Sequence, residues 1–178
     1  MQKQFFATLL SAALAVPLFA QAEGSYVKFG VGQTDYSASS SVNETAVSLA
    51  YGFSLDKNFG VELGYINFGN HKEGDASFSR TLKRQALYVA GVGTVPVTDA
   101  FSLFAKLGFA ANKYDYKFDS VGSSRRENVT ETKPMYGLGF SYNFSKEIAG
   151  TLEYQDFGKI GLDKIKATAI TAGIRYDF

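Results

Sequence analysis

The sequence predicts an all-β fold, an eight-stranded antiparallel up-and-down β-barrel whose bulkier apolar face points outward. Three observations lead there. Segments that alternate apolar and polar residues recur eight times along the chain, the period-two mark of strands with two unlike faces. The connections between them alternate between a few residues and long polar stretches. The two faces also differ in bulk: one carries Val, Leu, Ile, Phe and Tyr, the other Gly, Ala, Ser and Thr with a few charges.

The first 22 residues stand apart. Lys3, an apolar run, and Ala20-Gln21-Ala22 before Glu23 predict a secretory signal peptide with a small-x-small cleavage site. The apolar run is shorter than the ~20 residues of a membrane helix. Residues 1–22 are therefore read as a leader and 23–178 as one barrel domain.

Strand one is expected near Ser25–Tyr36, with Val27, Phe29 and Val31 opposite Lys28, Gly30 and Gly32. Strand two, near Glu44–Leu55, sets Val47, Leu49, Tyr51 and Phe53 against Ser48, Ala50, Gly52 and Ser54. A tight turn at "LDKN" leads to strand three, Phe59–Gly69, with Val61, Leu63 and Tyr65 opposite Glu62 and Gly64. Strand four, near Thr81–Val95, is less regular; Leu87, Val89 and Val95 read outward, Arg84 and Tyr88 inward.

"PVTDA" turns the chain into strand five, Phe101–Phe118, where Leu103, Leu107 and Phe109 oppose Lys106, Gly108 and Ala110. Strand six, Lys133–Phe144, alternates Tyr136, Leu138, Phe140 and Tyr142 with Gly137, Gly139, Ser141 and Asn143. Strand seven follows "SKE" and opposes Ile148, Leu152 and Tyr154 to Thr151 and Glu153. Strand eight is "ITAGIRYDF". The stretches "SASSSVN", "NHKEGDASFS", "DSVGSSRRENVTET" and "KIGLDK" read as long loops at one end. A faint repeat aligns "GVELGYINFG" with "AGTLEYQDFG", sharing Leu63/Leu152, Tyr65/Tyr154, Phe68/Phe157 and Gly69/Gly158.

Removal of Lys3 with the leader leaves 17 basic residues against 17 acidic ones. That balance argues against nucleic acid as a partner, which needs clustered positive charge. The chain has no cysteine, so neither a disulfide frame nor thiolate chemistry is available. Eight strands enclose an interior just wide enough for side chains to fill. Bulky residues from every strand would overfill it, whereas Gly and Ser with paired charges fit. The large apolar face therefore meets lipid, and hydrocarbon in turn demands closure, because no backbone polar group can be left unpaired there. Aromatics at the turn ends (Phe53, Phe59, Phe101, Phe144, Tyr176, Phe178) mark one membrane boundary.

The closing pattern of Thr171, Gly173, Tyr176 and Phe178 resembles the terminal signal by which the barrel-assembly machinery recognises bacterial outer-membrane proteins. The mature chain resembles the OmpA-like transmembrane β-barrel family in "VELGYINFG", "TVPVTDAFSLFAKLGF", "YGLGFSYNFSKEIAGTLEYQDFGKIG" and "ITAGIRYDF". The resemblance implies an eight-stranded outer-membrane barrel with turns in the periplasm and loops outside the cell. The chain ends at Phe178, so the periplasmic peptidoglycan-binding domain of full-length members is expected to be missing. The family's switchable lumen ion pairs are put in doubt, because Val92, Ser141 and Thr151 stand where gating partners would be.

Six inward charges, Lys28, Glu62, Arg84, Lys106, Glu153 and Arg175, are read as a lumen network. A buried salt-bridge core is favoured over a pore lining, since unpaired charges there would be costly. Lys83, Lys113, Lys117, Arg125 and Arg126 project near the loop end; contact with lipopolysaccharide phosphates and an ordinary solvated surface both stay open. His71, the single histidine, lies near Asp75, Ser77 and Ser79, but no motif of lipid A acylases or deacylases accompanies it. No catalytic site, metal or cofactor is expected. The functional expectation is a structural, surface-facing outer-membrane protein whose loop ligand the sequence does not name. A low-conductance porin, a lipid A-modifying enzyme and a soluble periplasmic ligand-binding barrel are the alternatives.

Overall fold

The computed structural model describes residues 24–36, 42–74, 78–120, 123–160 and 165–178. The predicted leader and the segments between these ranges lie outside it. Within them the chain forms one closed antiparallel barrel in sequence order, β1 pairing with β8. Its strands are β1 (Gly24–Tyr36), β2 (Val42–Ser54), β3 (Phe59–Gly74), β4 (Phe78–Pro96), β5 (Phe101–Ser120), β6 (Ser123–Asn143), β7 (Ile148–Ile160) and β8 (Ile165–Asp177).

Parity follows the alternation. Phe29, Leu49, Leu107, Phe109, Leu138, Ile170 and Ile174 are exposed on the outer wall, while Ala46, Ala50, Ala90, Ala110 and Ala169 are buried inside. Ring pairs Tyr51–Phe53, Tyr142–Phe144 and Tyr176–Phe178 pack edge to face near the short turns. Those turns are tied by side-chain caps: the Asp56 carboxylate accepts from the Asn58 and Phe59 amides, and the Ser145 hydroxyl from those of Glu147 and Ile148. The last residue is held too, the Phe178 amide donating to the Ser25 carbonyl at 2.9 Å.

The four predicted loops are shorter than expected, the first because β2 begins at Val42 rather than Glu44. β3 runs on to Gly74, β4 begins at Phe78, β5 reaches Ser120, and β6 begins at Ser123 rather than Lys133. β8 likewise begins at Ile165. Beyond the hydrocarbon both faces of a hairpin meet water, so side-chain alternation lapses while backbone pairing continues. Periodicity reads the buried length of a strand, not its full length.

The internal repeat marks two matching bulges. In β3 the register shifts between Asn67 and Asn70, and in β7 between Asp156 and Lys159. Each shift carries a positive-φ glycine, Gly69 at +86° and Gly158 at +81°, where a side chain is disfavoured. In each, the preceding Asx side chain accepts from that glycine's amide: Asn67 Oδ1 at 2.9 Å, Asp156 Oδ1 at 2.8 Å.

The bulges sit where two ladders stop. β2 pairs with β3 only as far as Val47↔Asn67, and β6 with β7 only as far as Tyr136↔Asp156. The other ladders continue outward, to Tyr36↔Val42, Gly74↔Ser79, Ser120↔Ser123 and Ile160↔Ile165. The outer rim thus divides into two four-stranded leaves, β7–β8–β1–β2 and β3–β4–β5–β6.

Two outcomes follow from this geometry. Leu63→Arg or Leu138→Arg should block insertion of refolded chain into vesicles, at about 2–4 kcal/mol for an arginine near the bilayer midplane. The readout is loss of the heat-modifiable gel band; a chain that instead inserts normally refutes the outward assignment. Gly158→Ala should cost roughly 1–2 kcal/mol, the strain of a left-handed alanine, seen as a lower urea midpoint in vesicles.

Candidate functional site in the barrel lumen

The middle of the lumen holds one charge from each odd-numbered strand, alternating in sign: Lys28 on β1, Glu62 on β3, Lys106 on β5 and Glu153 on β7. Inward residues from alternate strands fall at a common level in a tilted barrel, which is why a few positions scattered over the sequence meet. All four are buried. Lys106 Nζ lies 2.5 Å from Glu62 Oε1 and 2.7 Å from Glu153 Oε1. Lys28 Nζ lies 2.5 Å from Glu153 Oε2 and 3.3 Å from Glu62 Oε2. Each ion touches both opposite charges, and the layer is neutral.

Glu62 is the best-served member. The Tyr26 hydroxyl donates to its Oε2 at 2.8 Å and the Tyr88 hydroxyl to its Oε1 at 2.6 Å. Phe104 lies against both ammonium groups, 5.7 Å from Lys28 and 5.4 Å from Lys106. Space for these rings comes from glycine: a Cβ on Gly64 would fall 2.2 Å from the Tyr88 ring, and one on Gly139 2.5 Å from that of Phe104. The small face of the strands is therefore the complement of a few large lumen side chains.

Toward the turn end, Arg175 stacks on Tyr26 with its guanidinium 4.0 Å from the ring and pairs with Asp177. Between it and the charge layer lies a space of about 20 Å³, bordered by Val92, Ser141 and Thr151 among others. Toward the loop end an apolar plug follows. Phe68 and Phe157, the last inward residues of β3 and β7 before the two bulges, meet edge to face from opposite sides at 5.0 Å. Tyr88, Ile66 and Met135 fill around them. The lumen is thus closed twice, by ions and by rings.

Four of the six predicted lumen charges meet in this layer. Arg175 is one step toward the turns, and Arg84 lies half-buried on the inward row of β4, nearer the outer end. Lys83 is exposed, and Lys113 is half-exposed with Asp115 at 3.9 Å. Lys117, Arg125 and Arg126 fall in strands, but their side chains lie outside the described residues. His71 is expected in a loop yet belongs to β3, opposite Leu82; its side chain, with Asp75 and Ser77, is also outside the description. Of the closing pattern, Thr171 is buried and Gly173 half-buried in β8, while Tyr176 and, just past the strand, Phe178 face outward.

Sequence reasoning missed the second polar cluster, on the outer wall. Asp156 accepts from the Tyr136 hydroxyl at 2.6 Å and pairs with Lys166 at 2.9 Å. Its one advance signal was the repeat, which aligns Asp156 with Asn67 just before Phe-Gly.

The model of the OmpA-like transmembrane domain matches residues 20–178. Outer membrane protein A of Klebsiella pneumoniae is 28% identical over 112 residues, 62% of this chain and 33% of that protein. Outer membrane protein P5 of Haemophilus influenzae is 26% identical over 143 residues, 76% and 40% respectively. The chain thus spans little more than a third of the length of these relatives. Among solved structures, Ail of Yersinia pestis, in complex with the heparin analogue sucrose octasulfate, shares the fold at TM-score 0.67 and 20% identity, covering 88% of this chain and 99% of that one. Neisserial surface protein A does so at 0.68 and 14%, covering 86% and 97%.

Breaking the charge layer should be costly. Lys106→Met leaves one lysine facing two carboxylates and is expected to lose about 3–5 kcal/mol, measured by urea unfolding in vesicles. Adding Glu153→Gln restores neutrality, so the double variant should be more stable than the sum of the single losses. Simple additivity would show that the four groups do not act as a unit.

Proposed function

Because the chain belongs to the OmpA-like transmembrane domain family of bacterial outer-membrane barrels, we propose that it is a non-enzymatic structural and surface element of the outer membrane. The observation that carries this reading is the double closure of the lumen. A neutral four-ion layer and the Phe68–Phe157 pair cross the lumen at two levels, and the space bordering the ions, about 20 Å³, is on the scale of a single water. What remains available for function is the wall facing lipid and the outer rim facing the surroundings. The tall β3–β6 leaf carries the Lys83 and Lys113 cations toward headgroup level, and Lys117, Arg125 and Arg126 extend that positive sequence character.

In this reading the lipid partners are outer-membrane lipids and lipopolysaccharide, paired through phosphate to those cations. The barrel-assembly machinery is the partner in biogenesis, meeting the Thr171, Gly173, Tyr176 and Phe178 pattern. A porin role would require both closures to open together.

Deleting the gene in its bacterial host should raise sensitivity to detergent and to bulky antibiotics, and a copy of the native chain should restore resistance. Unchanged sensitivity argues against the envelope role. In planar bilayers the native chain should give no resolvable conductance steps; steady steps would move the assignment to a channel.

A further inference from the structure

Outside the lumen, the wall formed by β7, β8 and β1 carries a groove of about 470 Å³, within the ~300–1,000 Å³ range of small-molecule sites. Its cause is a gap in bulk. The outward row of β8 drops to Ala172 beside Ile170, while Leu152 and Tyr154 of β7 stand on one flank and Val31 and Gln33 of β1 on the other. The deep end is apolar and the end toward the loops is polar.

A pair of cations stands at that polar end. Lys159 and Lys166 face each other directly on the β7–β8 ladder, and like charges so placed repel. The β7 bulge causes this, because its extra residue returns Lys159 to the outward row. Asp156 offsets Lys166 at 2.9 Å. Its oxygens are otherwise engaged by the Tyr136 hydroxyl and the Gly158 amide. Among the described side chains Lys159 is thus the cation of this cluster without an acidic partner, over an apolar groove; Asp35 stands opposite Thr168 on the outward row of β1, one step from the pair.

Lipid tails are as apolar as the groove, so the hydrophobic effect does not favour its filling. Shape and headgroup charge must do so. We propose that this wall binds one phosphorylated acyl-glycolipid of the outer leaflet. An acyl chain lies over Ala172 between Leu152 and Val31, and a phosphate rests on Lys159 and Lys166, with the Gln33 amide beside the sugar. The site is on a different wall from Lys83 and Lys113, and does not depend on the envelope role proposed above.

The test is native mass spectrometry of the mature chain in detergent, with purified lipid A added. The native chain should retain one lipid A. Lys159→Glu should weaken retention about tenfold, the loss of one charge-assisted contact, and Ala172→Phe should do the same by filling the groove. Lys57→Glu, in the short turn between β2 and β3 at the far end of the barrel, should leave retention unchanged. Each variant is first checked for the heat-modifiable band; Ala172→Leu, a smaller change at a lipid-facing position, is read if Ala172→Phe does not fold. Equal retention by native chain, Lys159→Glu and the groove variant overturns the site. Equal retention of phosphatidylglycerol overturns the glycolipid assignment, and loss only with Lys83→Glu moves the lipid contact to the tall leaf. None of these outcomes bears on antibiotic sensitivity, so the two readings fail separately.

Discussion

Every other feature of this barrel depends on one constraint: in hydrocarbon no backbone N–H or C=O can be left without a partner. Antiparallel strands meet it only by closing, and β1 with β8 completes the ring from Tyr26↔Asp177 to Tyr36↔Ala167. Closure at eight strands then fixes the lumen volume. That volume admits few large side chains, so most inward positions must be small, and the bulk displaced from the inside goes to the wall. The inside-out distribution of apolar residues follows from the strand count together with the solvent.

Outside the hydrocarbon the constraint relaxes, and the ring no longer has to be complete. The structure uses that freedom at two seams, β2/β3 and β6/β7, each begun by an Asx-Phe-Gly bulge. On the β6 side, Pro134, two residues beyond the last paired residue Tyr136, adds a position that cannot donate to a ladder. Phe68 and Phe157 are the last inward residues of their regular rows before each bulge reverses the facing of the strand, so the plug lies at the level where the closed region ends. In β7 the bulge also sets Lys159 beside Lys166 on the outer wall.

Much of this was legible in the sequence because alternation is a direct record of which face is buried. Outward Leu107 and inward Lys106 are adjacent letters with opposite environments, and reading them needs no tertiary information. Strand ends past the membrane were not legible, since "SRRENVTETK" is polar at every position but Val129 and has no period to read. The repeat could be aligned but not interpreted. That Asn67 and Asp156 would cap glycine amides, and that Phe68 would touch Phe157, depends on β3 and β7 being opposite in a ring of eight. Which inward charges meet was equally hidden: Lys28 and Arg175 are register partners on neighbouring strands, yet only Lys28 reaches the central layer, because barrel tilt sets the level at which each side chain arrives.

The central layer raises a question of cost. Four buried ions lose their hydration, and a matched set of apolar side chains would often be at least as stable. What the ions add is discrimination between registers. A one-residue slip of any odd-numbered strand would turn a charge into lipid, which the membrane already forbids. A two-residue slip keeps every apolar residue on its correct face, so alternation alone does not oppose it. It does, however, move a lysine or glutamate by about 7 Å along the barrel, away from both of its partners. Lipid fixes the facing of each strand, and the alternating ions on β1, β3, β5 and β7 fix its height.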